Sequence, residues 1–150
     1  MLITKVTAKQ VSTILQGLVG MYKEPIPSNT AYWLTRDMHW LESEGKRLEQ
    51  KRIDIIMRYV KKDKDGKPIL IEEGKKFDIE NEGGFNKEIN ELFATEVDIK
   101  LRTFKMNEFG KAYISMENLI KIKPIIEDWE EASKEILDLV KKKKNKEEGK

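Results

Sequence analysis

The chain has 150 residues, near the usual size of one domain, and a chain of that length can bury about two thirds of its unfolded surface without staples. Hydrophobic residues make up 39% and charged residues 37%, with 29 Lys+Arg interspersed among 27 Asp+Glu, which excludes disorder driven by charge excess for the body of the chain. The absence of Cys removes disulfides, thiolate metal sites and Cys nucleophiles.

Charge is unevenly placed. Lys141 to Lys150 carry six Lys and two Glu, a net of +4, which leaves −2 for the rest. A nucleic-acid binder gathers its basic residues on a folded face. A basic tail beside Glu147 and Glu148 does not, so the expectation is against a nucleic-acid partner. No apolar stretch follows Met1-Leu2-Ile3-Thr4-Lys5 as a leader would require, and no run reaches the roughly 20 apolar residues that span a bilayer. A cytoplasmic protein without a membrane partner is expected.

Leu2 to Val6 reads as a short strand. Thr7 with Gln10 three residues on forms a capping box for a helix whose apolar face is Val11, Ile14, Leu15, Leu18 and Met21/Tyr22. Pro25 and Pro27 break it. Ser28 or Asn29 is expected to cap the next helix, which should run from about Thr30 to about Lys61. Its stripe of Leu34, Met38, Leu41, Gly45, Leu48, Arg52, Ile55 and Tyr59 steps alternately by four and three, a heptad pattern. Gly45 costs such a helix about 1 kcal/mol relative to Ala, which a closely packed backbone would offset. Arg52 needs a partner, and Glu42–Lys46 and Asp54–Arg58 are spaced as i,i+4 pairs. The partners expected for the stripe are the first and last helices, or the same helix in another copy.

Lys62-Asp63-Lys64-Asp65-Gly66-Lys67 reads as a hairpin turn on its Asp-Gly, leading to short strands at Ile69–Ile71 and Lys76–Ile79. The same segment spaces Asp63, Asp65 and Glu72 partly like a calcium loop, but Lys61 stands where the first carboxylate is needed. Glu82-Gly83-Gly84 reads as a loop, before a short helix carrying Phe85, Ile89, Leu92 and Phe93. Val97, Ile99 and Leu101 alternate with Asp98, Lys100 and Arg102, as in a half-buried strand. Ser115 caps a helix with Leu119, Ile120 and Ile122. Pro124 is expected to start a last helix, whose stripe of Ile125, Trp129, Ala132, Ile136 and Leu139 repeats the heptad steps. Together these elements predict a helix-rich α+β fold: one long amphipathic helix packed with shorter helices and a small antiparallel sheet. Residues 1–140 should form a single domain, with 141–150 a basic, frayed tail.

Little of this carries chemistry. The single histidine, His39, lies mid-helix with no triad motif around it. Gly83-Gly84 lacks the Gly-Lys-Ser/Thr of a phosphate loop, and the carboxylates mostly stand four residues from a Lys or Arg, as on a solvated face. The densest group is Tyr32, Trp33, Arg36, His39 and Trp40. Spacings of three and four put Trp33, Arg36 and Trp40 on one helical flank. Those residue types fit core, a protein interface, or a ligand site that stacks a base and holds a phosphate.

The stretch Pro27-Ser28-Asn29-Thr30-Ala31-Tyr32-Trp33-Leu34 resembles a pattern in small proteins of temperate phages, a family of unknown function. There a short helix is followed by Pro, a Thr-Ala-Tyr-x-Leu helix start and a long charged helix. An Asp-Gly turn comes next, then segments like Phe85-Asn86-Lys87-Glu88-Ile89-Asn90-Glu91-Leu92 and Glu96-Val97-Asp98-Ile99. The resemblance covers about Leu2 to Ile126; Trp33 and Trp40 depart from it, since the pattern has charged residues there. It implies phage origin and the host cytoplasm, and brings no catalytic residues. The expectation is therefore a non-enzymatic accessory protein that binds a host protein, without cofactor or metal. Two alternatives stand beside it: an oligomeric sponge for a nucleotide signal, its copies joined through the heptad helices, and a virion assembly or structural component.

Overall fold

The computed structural model describes residues 1–149, apart from the side chains of Ile136 and Val140. Strand β1 (Leu2–Thr7) passes directly into α1 (Ala8–Val19) through Thr7, whose hydroxyl accepts from Gln10 N–H while the Gln10 side chain accepts from Thr7 N–H, the expected capping box. Helix α2 (Ser28–Tyr59) follows the two prolines. Neither Ser28 nor Asn29 caps it. Pro27 is the residue before the first turn, and its carbonyl accepts from Ala31 N–H at 2.9 Å. The start of α2 is held instead by Thr30, 3% exposed, whose hydroxyl donates to the Glu108 carbonyl at 2.7 Å. Close to that bond the Pro27 ring approaches Gly110, which sits at φ +62°. A Cβ there would stand 2.9 Å from Pro27 Cγ, so both the backbone and the space require glycine.

The stripe on α2 is buried unevenly. Leu34, Leu41, Leu48 and Ile55 are buried, while Met38, Gly45, Arg52 and Tyr59 are half-buried. Among the described residues, the elements that mainly pack along it are α1, α3 (Glu82–Ala94) and β4 (Glu96–Arg102), rather than the last helix. Arg52 is resolved by a two-pronged contact with Glu49, at 2.8 and 2.6 Å. The anticipated i,i+4 pairs do not form: Arg47 takes Glu44, Asp54 accepts from Gln50, and Arg58 reaches across to Glu88 on α3 at 3.1 Å. No backbone approaches Gly45. A methyl group there would meet nothing within 4 Å, and an apolar groove of ≈ 720 Å³ opens beside it between Val11, Leu15, Leu48, Leu92 and Phe93. Gly45→Ala should therefore stabilise the chain by about 1 kcal/mol through helix propensity alone. Urea unfolding would show this as a higher midpoint, and a lowered midpoint would contradict it.

Beyond α2 the chain turns through Asp63, whose Oδ1 accepts from the N–H groups of Asp65 and Lys67 at 2.9 and 3.0 Å, with Gly66 at φ +78°. This is hairpin geometry, in which Asp63 ties its own loop. Strands β2 (Leu70–Ile71) and β3 (Lys76–Phe77) pair antiparallel. Glu82-Gly83-Gly84 is the first turn of α3 rather than a loop, because Asn81 Oδ1 accepts from Gly84 N–H at 3.1 Å and so caps the helix.

β1 and β4 form the main two-stranded antiparallel sheet, with Leu2 opposite Arg102 and Thr7 opposite Glu96. Val97, Ile99 and Leu101 point inward at 3% exposure or less, as their alternation predicts. After β4 a 3-10 turn (Met106–Phe109) leads to α4 (Met116–Ile122), capped by Ser115 as expected and packed on α1 where Gly17 would place a Cβ 2.7 Å from Ile122 Cγ2. Pro124 does not start the last helix. It lies in a 3-10 turn (Lys123–Ile125), after which Ile126 bridges Phe104 in parallel: Phe104 N–H donates to Ile125 O at 2.8 Å, and Glu127 N–H to Phe104 O at 2.9 Å. That pairing draws 125–127 out of helical geometry, so α5 begins at Trp129 and continues to Glu148. Of its stripe, Ile125 is buried, Trp129 and Ala132 are half-buried and Leu139 is exposed; the Ile136 side chain lies outside the described set. One contiguous core runs from Val6 to Ile126, centred on Phe104, Phe109, Leu101 and Leu41. Among the described residues, no helix is long and apolar enough to cross a membrane.

Candidate functional site

The first turns of α2 lie beside the C-terminal end of β4, and the aromatic flank forms at that junction. Trp33 is half-buried and packs on the core. The Tyr32 ring meets it edge-on at 5.2 Å while remaining 59% exposed. The Arg36 guanidinium lies 5.2 Å from the Trp33 ring centre. The Arg102 guanidinium, reaching from β4, lies 5.6 Å from Trp33 and 4.7 Å from Phe104. Such cation–aromatic contacts contribute roughly 0.5–2 kcal/mol each, more as water is excluded.

Beneath this layer sits Asp37, 2% exposed on a helix flanked by Leu34 and Leu41. Its Oδ1 accepts from the backbone N–H of Arg102 at 2.9 Å, tying α2 to β4. Its Oδ2 is buried without a hydrogen-bond partner, as is Arg102 Nη1. Burial pushes the Asp37 carboxyl up from 3.8 to about 7; the Arg102 N–H bond and the charges of Arg102 and Arg36 offset only part of that. Arg102 is otherwise engaged by Glu108, with Nη2 to Oε1 at 2.8 Å. Burial opposes ionisation of Glu108, but the Lys105 N–H and Arg102 together hold its pKa below the usual value.

Leu2, Trp33, Arg36, Asp37, Trp40, Lys100 and Arg102 line a groove of ≈ 420 Å³ between α2 and the sheet. Trp40, 44% exposed, and the exposed Leu2 both line it. A shallower depression of ≈ 240 Å³ lies on the outer side of α2 between Arg36, His39 and Trp40. Of the five residues marked in the sequence, Trp33, Arg36 and Trp40 share the groove. His39 lines only the outer depression, and Tyr32 lines neither but contacts Trp33.

No protein-family model, curated protein or solved structure matches this chain. Among the described residues no three of His, Asp and Glu gather to hold a metal ion. The groove combines aromatic faces, an exposed aliphatic group and cations, which suits recognition through stacking, burial and charge.

Four groove residues escaped sequence reading. Asp37 had a signal: it stands three residues after Leu34 and four before Leu41, so an acidic side chain falls on the buried flank. Leu2, Lys100 and Arg102 had none, because strand pairing and the α2–β4 contact bring them there.

Proposed function

We propose that this is a non-enzymatic phage accessory protein that acts by binding a host protein, with the N-terminal half of α2 as the contact face. The observation that carries the reading is the placement of Tyr32 and Trp40. Two large aromatics stand 59% and 44% exposed on a helix whose opposite side is anchored in the core. Rigid aromatics with neighbouring Arg are the side chains that dominate protein interfaces, since they bury much area for little lost conformational freedom. Arg36 and His39, also exposed, extend the same face. The phage setting rests on the order of motifs from Pro27 to Ile99.

Trp33 and Trp40 play different parts in this reading. Trp33 packs on the core and supports Arg36 and Arg102, so its removal would disturb the fold. Trp40 is the cleaner probe. Trp40→Ala should leave the far-ultraviolet circular dichroism and the unfolding midpoint nearly unchanged, while weakening host-protein capture by about 2 kcal/mol or more, some thirtyfold. Tagged wild-type and variant chains recovered from the same bacterial lysate, with bound proteins identified by mass, supply the comparison. Equal recovery of the same partner by both would overturn this face as the contact.

A further inference from the structure

Arg36 and Lys100 stand as cations in the groove lining. Among the described residues, no carboxylate lies within ion-pair distance of Arg36 or Lys100, whereas Arg47, Arg52, Arg58 and Arg102 each have one. Arg36 is nevertheless held in place, its guanidinium lying over the Trp33 ring at 5.2 Å. Lys100 approaches from the facing strand, so the pair brackets the groove from two elements. Trp40 and Leu2, two exposed apolar side chains, line the same groove. The acidic residues nearby offset this charge only in part. Glu108 is bound to Arg102 and to the Lys105 N–H, and the Asp37 carboxyl in the lining is 2% exposed, where burial disfavours the charged form.

Resting on the reading of this face as a protein contact, we propose that the groove between α2 and β4 receives an acidic segment of the partner, in which a carboxylate stands beside a large apolar side chain. Arg36 and Lys100 hold the carboxylate, and Trp40 with Leu2 receive the apolar group. The volume of ≈ 420 Å³ is at the small end of the usual range for binding pockets, about 300–1,000 Å³, and suits a pair of side chains. Charge complementarity selects the acidic partner. Two cations set against apolar walls favour opposite charge, and like-charged segments are repelled as they approach. A phosphate group is a poorer fit, because backbone-cradled phosphate sites aim free main-chain N–H groups at the anion. The Arg102 main-chain N–H on the β4 side is already committed to Asp37.

The test is selection of a randomised peptide library on the full chain, followed by fluorescence anisotropy of the recovered peptides. Wild-type protein should enrich peptides with Asp or Glu adjacent to Trp, Phe or Leu, and their binding should weaken as ionic strength rises. Arg36→Glu combined with Lys100→Glu should reduce that binding at least about tenfold and shift selection toward basic peptides. Arg36→Gln with Lys100→Gln should show the same loss of acidic-peptide binding, without the shift toward basic peptides, should the reversed pair unfold. Enrichment of neutral or basic peptides by the wild type, acidic peptides indifferent to both charge variants, or displacement of the peptide by mononucleotides would each overturn the proposal. Peptides lost in Trp40→Ala but untouched by the charge variants would leave the contact face standing and remove only the acidic partner. Binding indifferent to Trp40 as well would remove both.

Discussion

Phe104→Ala should lower the free energy of unfolding by about 3–5 kcal/mol. Phe104 is wholly buried, its ring 5.9 Å from that of Phe109 and beneath the Arg102 guanidinium at 4.7 Å. Its backbone joins the end of β4 to 125–127 through two hydrogen bonds. Truncation leaves a void where the sheet, the 3-10 turn and the chain before α5 meet, and rigid neighbours on three sides can collapse into it only in part. Domains of this size are held by about 5–15 kcal/mol in total, so the loss would be a large share of the whole. Urea denaturation with the slope unchanged is the measurement. A loss under about 1 kcal/mol would mean that Phe104 does not centre the core.

Stability should fall as pH rises from about 4 to about 7, through Asp37. Its carboxyl titrates from 3.8 in the reference state to about 7 when folded. The folded chain therefore holds this proton more tightly than the unfolded chain does. The contribution is complete below about pH 4, declines as pH rises toward the folded value, and is gone above it. At about 1.4 kcal/mol per unit, the window spans a few kcal/mol. Asp37→Asn keeps an oxygen to accept from Arg102 N–H and removes the ionisation. The variant should match the wild type near pH 4 and exceed it by a few kcal/mol near pH 8. Parallel stability curves for the two proteins across that range would show that Asp37 does not titrate as its burial implies.

Local order was largely legible in the sequence because it rests on local forces. The Thr7–Gln10 box, the Asp63 turn, the Ser115 cap and the alternation of Val97, Ile99 and Leu101 each depend on residues a few positions apart. Where the reading failed, a distant partner intervened. Pro124 was displaced from a helix start because Phe104 pairs with the chain on either side of Ile126. The start of α2 is fixed by Thr30 reaching Glu108 rather than by a local cap. Arg58 left its i,i+4 neighbour for Glu88, since α3 brings that carboxylate within 3.1 Å.

The candidate site divides in the same way. Helical periodicity was enough to set Trp33, Arg36 and Trp40 on one flank of α2. Periodicity says nothing about what a flank faces, so it could not separate Trp33, which supports the core, from Trp40, which meets solvent. Nor could it supply the second wall, since Leu2, Lys100 and Arg102 lie far from α2 along the chain and reach it through antiparallel pairing and the Asp37–Arg102 bond. The sequence by itself determined the α+β class, the long helix and the aromatic flank, because a heptad stripe and strand alternation are properties of neighbouring residues. Only the tertiary structure decided that the flank is one side of a cationic groove over a buried carboxyl, because burial and charge environment are set by residues the chain brings together only on folding.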